Sequence, residues 1–348
     1  MNKITETAKK IIEPDQKMRD AAKAHLNDLT KPQGSLGRLE ELAEQIVFIT
    51  GNKQPKTAKK IIFTLAGDHG VAEEGVSAFP QEVTQQMLLN FSQGGAAVNV
   101  LARHAGADIK VVDMGVKGEI SQSSGIINKK IRPGTDNMAK GPAMSKDDAV
   151  LSVERGIELV EENSDYDVIG TGDMGIANTT ASSAIIAVLT GKEVKQVTGR
   201  GTGIDNNVLR HKIEVIEKAI KINNPDPNDP IDVLSKIGGF EIGGIAGVIL
   251  GAASKRIPVV VDGFIATTGA LIAVKIEPKV KHFLIPSHLS VENGHKKALE
   301  FLGLTPYLDL SMRLGEGTGA ALTITLIEAA VKIYNEMATF SNAKVSKS

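Results

Sequence analysis

From residue 60 onward, short β-rich apolar runs that end in glycine or polar loops alternate with longer stretches of helical spacing. The runs at residues 61–66, 109–114, 167–169, 257–261 and 282–285 predict strands, and their nearly unbroken apolar character suits a parallel sheet covered on both faces. Helical spacing covers residues 81–91, 96–104, 146–162, 179–189, 207–222, 243–253, 292–302 and 318–337. Right-handed crossovers turn this alternation into a layered α/β/α core. Residues 3–29 and 38–50 read as helices joined by a Pro- and Gly-broken segment, and nothing there reads as a strand. The run at residues 223–230 has the composition of an exposed connection, and the Lys-rich tail is expected to fray. The expected organisation is a helical segment over residues 1–58, an α/β catalytic unit over 59–340 and a tail over 341–348.

Composition narrows the function classes. With 40 Lys plus Arg against 41 Asp plus Glu, the net charge of -1 gives no general attraction to nucleic acid or an anionic membrane. Aromatic residues are 3% and Trp is absent, which removes most stacking platforms for single strands. The chain has no cysteine, hence no disulfide, thiolate nucleophile or Cys-ligated metal, which fits a reducing cytosol. The polar first 50 residues do not read as a secretory signal. The longest nearly apolar helical stretch, residues 242–253, falls short of the roughly 20 residues a membrane span needs. Small-molecule chemistry in a cytoplasmic protein is the expectation.

Gly-Thr-Gly occurs three times, at Gly170–Gly172, Gly201–Gly203 and Gly317–Gly319, each between an apolar run and a helical pattern. Such loops bring backbone N–H groups and a helix N-terminus to an anion, so a phosphorylated ligand is expected. The third copy follows Glu316, and a carboxylate there would repel a phosphate, which points to chemistry rather than anion holding. Shielded from water, its pKa would rise towards that of a base able to act on a weakly acidic N–H. The Gly199–Gly203 run reads either as a phosphate cradle with Lys212 as counter-charge or as a turn cluster beside a solvated lysine; Ile204 breaks the dinucleotide fingerprint. Phe79, Gln85 and Met87 could form a flat slot, although from spacing alone Phe79 and Met87 read more simply as core. Pro80 is placed to open the helix after it. Asp173 is a second carboxylate or a turn residue, before a helix that Asn178 or Thr179 can cap. No HExxH spacing occurs among the seven histidines, and His288, Glu292 and His295 read as helical decoration. The Asp68-His69 pair, at the end of a strand, reads as structural or substrate-orienting.

Several segments, taken in order, carry a specific resemblance: Lys31-Pro-Gln-Gly-Ser-Leu-Gly-Arg38, Gly67-Asp-His-Gly-Val71, Gly75-Val-Ser-Ala-Phe-Pro-Gln81, Gly172-Asp-Met-Gly-Ile-Ala-Asn-Thr-Thr180, Gly199-Arg-Gly-Thr-Gly203, Asp262-Gly-Phe264, Ser287-His-Leu-Ser290 and Arg313-Leu-Gly-Glu-Gly-Thr-Gly-Ala320. Over nearly the whole chain they resemble the nicotinate-nucleotide:dimethylbenzimidazole phosphoribosyltransferases of cobalamin nucleotide-loop assembly. The resemblance implies a three-layer α/β/α fold with a mostly parallel Rossmann-like sheet, a small helical domain from the termini, and a homodimer. It implies transfer of the 5-phosphoribosyl group from nicotinate mononucleotide to 5,6-dimethylbenzimidazole with inversion at C1′, without cofactor or metal. By position it makes Glu316 the general base. Ser77, Phe79, Gln85 and Leu314 fall in the pocket for the aromatic base, and Asp173, Gly175, Gly201, Gly203, Lys212 and Ser290 where the nucleotide is held. The chain departs from the usual Gly-Glu-Met-Gly-Ile-Gly segment at Asp173 and Ala177.

Overall fold

A computed structural model describes residues 2–346. The chain opens with three helices, α1 (Lys3–Lys10), α2 (Gln16–Asp28) and α3 (Arg38–Thr50). The expected single helix over 3–29 is broken before Pro14, and Asp15 restarts it by accepting the Lys17 N–H. Strand β1 (Lys60–Gly67) follows, then α4 (Val83–Ser92), α5 (Ala97–Ala105), β2 (Asp108–Gly115), the two-residue β3 (Ile127–Asn128) and α6 (Lys146–Glu161). Next come β4 (Val168–Met174), α7 (Asn178–Thr190), the short α8 (Val194–Val197), α9 (Asn206–Asn223), α10 (Pro230–Ile237) and α11 (Phe240–Ser254). The chain continues through β5 (Val259–Val261), α12 (Phe264–Ile276), β6 (Leu284–Pro286), α13 (Asn293–Leu302), α14 (Thr318–Glu336) and α15 (Phe340–Ala343).

The six strands are all parallel, in the order β3-β2-β1-β4-β5-β6. In this doubly wound order the chain reverses direction across the sheet between β1 and β4, and ligands bind at the carboxyl edge there. Strand alternation assigns the faces. Ile62 and Gly170 lie against α14, whereas Leu65, three residues on from Ile62, lies against α11. The first helices return to the C-terminal end of the chain, where α3 packs on α14 and Leu29 bridges Thr339. Among the described residues no helix is long and apolar enough to cross a membrane.

Four further expectations of the fold need correction. The first Gly-Thr-Gly lies inside β4, not in a loop, so that strand runs on to Met174. Residues 223–230 are not all connection, because Asp229 caps α10 through the N–H groups of Ile231 and Asp232, and Pro230 takes the first turn. Helix α12 was not expected at all; it is buried all round and shows no amphipathic period to read. Pro80 does not open α4, which begins at Val83 after a turn in which the Pro80 carbonyl accepts the Val83 N–H.

Candidate active site

Four strand ends converge on one edge of the sheet and set the side chains of the site. After β1 comes His69, whose Nε2 lies 2.6 Å from Glu241 Oε1, both groups being buried. Near the end of β4 stands Asp173, whose Oδ2 accepts from Asn178 Nδ2 at 2.9 Å. Just past β5 lies Asp262, and just past β6 lie Ser287 and His288. The ends of β4, β5 and β6 border a cavity of about 260 Å3 lined by Phe79, Asp173, Gly175, Gly201, His288, Ser290 and others.

Glu316 sits beside this cavity rather than on its lining, with Leu314 and Gly315 lining it in its place. Glu316 as a whole residue is only 5% exposed. Its Oε2 receives one long hydrogen bond, 3.4 Å from the Val98 N–H in the first turn of α5. Burial raises its pKa above the usual glutamate value, and the Val98 N–H opposes this weakly. The backbone around it is unusual: Gly315, Glu316 and Gly317 have φ of 80°, 65° and 104°. For a glutamate this left-handed conformation costs about 1–2 kcal/mol, so packing must enforce it. Thr64 Oγ1 donates to the Glu316 carbonyl at 2.8 Å. Gly172 lets β4 come close, since a Cβ there would lie 2.1 Å from that same carbonyl oxygen. The first and third Gly-Thr-Gly runs therefore meet across the sheet edge.

Carboxylates crowd this edge. Burial, then the charges of Asp262, Glu241 and Glu316, holds Asp173 well above the ordinary aspartate pKa. Burial pushes Asp262 up to about 7 against the backbone N–H groups it accepts. Lys212 is not on the cavity lining but is buried beside it, with Nζ donating at 2.7 Å to Oγ1 of Thr179, a lining residue. The lysine is 1% exposed, which rules out the solvated-lysine reading, and burial lowers its pKa to about 8. The Gly201 peptide is held at both ends, its N–H by Glu292 Oε1 at 2.9 Å and its carbonyl by Arg313 Nη1 at 3.1 Å. Arg313 belongs to the loop of Glu316, so this contact ties that loop to the Gly201 turn.

The expected residues separate into groups. Phe79, Leu314, Asp173, Gly175, Gly201 and Ser290 line the cavity. Phe79 is 52% exposed, against the reading that placed it in the core, while Met87 does pack on the core. Gly203 is exposed and off the lining, Ser77 is half-buried behind Phe79, and Gln85 turns its amide to the Glu119 carbonyl at 2.8 Å. His288, Glu292 and His295 are not helical decoration: all three are buried, and the first two line the cavity. Ser287 commits its one hydroxyl proton to the Asp262 carbonyl at 2.6 Å, so His288 must donate from Nδ1 to Ser287 Oγ at 3.2 Å. His288 Nε2 is then a bare acceptor, with no partner among the described residues. The position of Ser287-His288 at the end of a strand was the signal that could have flagged it.

Ala177 stands just before α7 with φ of 72°. Glycine adopts this angle without strain, which accounts for the glycine of the resembled segment. Ala177→Gly should therefore raise the unfolding free energy by up to about 1 kcal/mol, after allowing for glycine's greater freedom in the unfolded chain. Urea denaturation checks this, and an unchanged midpoint would mean the turn carries no strain.

A doubly wound parallel sheet with a ligand-sized cavity at its carboxyl edge, a glycine loop on the lining and a buried glutamate beside it defines an α/β protein with a small-molecule site. A sequence model described as phosphoribosyltransferase matches residues 11–345. The nicotinate-nucleotide–dimethylbenzimidazole phosphoribosyltransferase of Geotalea uraniireducens is 57% identical over 349 residues, covering 100% of this chain and 99% of that protein. Its counterpart from Pelodictyon phaeoclathratiforme is 57% identical over 332 residues, covering 95% of this chain and 94% of its own. The crystal structure of the enzyme of that name from Thermus thermophilus superposes with a TM-score of 0.91 at 41% identity, over 96% of this chain and 100% of that one. The chain belongs to the nicotinate-nucleotide–dimethylbenzimidazole phosphoribosyltransferase family and is a pentosyltransferase.

Proposed function

We propose that this chain transfers the 5-phosphoribosyl group of nicotinate mononucleotide to 5,6-dimethylbenzimidazole, giving α-ribazole 5′-phosphate and nicotinate, with Glu316 as general base. The observation that carries the reading is the poorly solvated Glu316 carboxylate, which has one weak hydrogen bond and lies beside a cavity lined by Thr179, the hydroxyl that buried Lys212 holds. Lys212, Gly175, Gly201 and Ser290 hold the phosphate end of the nucleotide. Asp173, His288 Nε2 and Glu292 are acceptors, matched to the two ribose hydroxyls, which are the neutral donors of such a nucleotide. The exposed side chains of Phe79 and Leu314 provide an apolar wall for the flat base, with Ser77 and Gln85 at its margin. Gly203 shapes the turn behind the cradle.

The chemistry follows from these placements. Glu316 takes the N–H proton of the azole as the opposite ring nitrogen attacks C1′. The C1′–N bond to the pyridinium breaks, and its electron pair neutralises the ring, so nicotinate leaves without protonation. Attack from the face opposite the leaving group inverts the anomeric centre. The helical first segment, residues 1–58, and the C-terminal helix form a smaller unit beside the α/β catalytic part, in a cytoplasmic homodimer. The test is to incubate the purified protein with both reactants and follow nicotinate by chromatography and the anomer by proton NMR. Release of nicotinate with formation of the α-anomer is expected. Binding of the nucleotide without release of nicotinate would mean a nucleotide sensor instead.

A further inference from the structure

The residue that begins α14 brings no cap of its own. Gly317 stands at the N-cap position and has no side chain, so the N–H groups of the first turn need acceptors from elsewhere. Asp262, 55 positions before Gly317 and just past β5, supplies them: Oδ2 accepts from the Gly317 N–H at 3.1 Å and Oδ1 from the Ala320 N–H at 3.0 Å. Its side chain is 1% exposed, and Ser287 fixes its backbone through the Asp262 carbonyl. The Gly317 N–H is the amide directly after Glu316. A free glutamate beside a helix N-terminus is drawn to such donors, and each hydrogen bond it accepts there makes it a weaker base. Glu316 instead keeps a single 3.4 Å contact to Val98.

We propose that Asp262 is the positioning residue for Glu316: by occupying the amide donors at the start of α14 it pins the left-handed turn and keeps those donors off the Glu316 carboxylate. The proposal rests on the reading of Glu316 as general base. Asp262 itself touches no reacting atom. The titratable groups around this turn come from several elements: Asp173 from β4 and Asp262 from beyond β5 feel the Glu316 charge, and His288 from beyond β6 lies 3.9 Å from Asp262. From α5 and β1 the contacts are the Val98 N–H and the Thr64 hydroxyl, and Arg313 of its own loop is turned to Gly201. Asp262→Asn leaves one of the amides at the start of α14 without an acceptor, and a free donor beside Glu316 favours its ionised form, which makes it a weaker base. Above about pH 7, where Asp262 is ionised, the lost negative charge acts in the same direction.

The test is the pH profile of kcat for Asp262→Asn beside wild type and Glu316→Gln. The acid limb should move to lower pH by about half a unit or more and the plateau fall about tenfold or more, with the KM for nicotinate mononucleotide within about threefold of wild type. A cap that serves folding alone would lower the thermal midpoint and leave the limb in place, and that result overturns the proposal, as does a wild-type plateau. If Asp262→Asn shows no cooperative unfolding, Asp262→Ser, which keeps a shorter acceptor, is measured against the same outcomes. Full activity in Glu316→Gln would defeat the general-base reading itself. An inactive Glu316→Gln with an unmoved limb in the Asp262 variants would defeat the positioning role alone.

Discussion

Replacing Glu316 with Gln is expected to lower kcat by about 10²- to 10⁴-fold, the usual contribution of one positioned general base. The variant keeps the shape of the side chain and its hydrogen-bonding capacity, so the left-handed turn and the Val98 contact should survive. Under the proposed function, what disappears is the ability to accept the azole proton as C1′ is attacked. The nucleotide is held by other groups, so its KM should change little, which separates a lost transition-state interaction from lost binding. The wild-type pH profile carries the same signature. A general base works when deprotonated, so kcat should fall as pH drops through the Glu316 pKa, and burial places that limb above the ordinary glutamate value of 4.5. In Glu316→Gln this limb should be absent. A rate within a few-fold of wild type, with the limb intact, would assign the proton to another group.

Lys212→Met should act on the other half of the reaction. A hydrogen bond to a charged group contributes about 1.5–3 kcal/mol, so losing the cation should raise the KM for nicotinate mononucleotide roughly 10- to 100-fold. The lysine is a cation below its lowered pKa of about 8, so the wild-type KM should also climb above that pH and that of the variant should not. Stability should move the other way. The folded-state pKa of Lys212 lies below its unfolded value, so the folded chain binds fewer protons between about pH 8 and 10 and gains stability as pH rises through that window. At pH 7 the burial cost of the charge is fully present, and Met removes it. A raised thermal midpoint together with a raised KM is therefore expected. A lowered midpoint would mean that Lys212 is a structural group and that the loss of binding is secondary.

The placement of these two residues was unequally legible in the sequence. Glu316 stood out because a carboxylate in a glycine frame conflicts with anion binding, a contradiction visible without coordinates. Lys212 was ambiguous, since a lysine one turn or so into a helix looks the same in sequence whether it faces solvent or a cavity. The βα alternation was readable from period and composition, and the five expected strands form the parallel sheet, to which the two-residue β3 adds an edge that no pattern announced. The extension of β4 through Gly170–Gly172 was not, because glycine disfavours strands and only the close approach of Ile62 and Ala320 to Gly170 and of the Glu316 carbonyl to Gly172 explains why it is needed there. Helix α12 was hidden by burial on every side, which erases its period. The capping of α14 by Asp262 and the tautomer of His288 depend on contacts between segments distant in the chain or on proton counting within the fold, which no local pattern encodes.

The measurement that tests the account most directly is a crystal structure of Glu316→Gln with nicotinate mononucleotide and 5,6-dimethylbenzimidazole both bound. The account predicts that the side chain at position 316 lies about 2.6–3.2 Å from one nitrogen of the azole, with the other nitrogen facing C1′ of the nucleotide. An azole seated with that side chain still turned to Val98, and another polar group on the ring nitrogen, would contradict it.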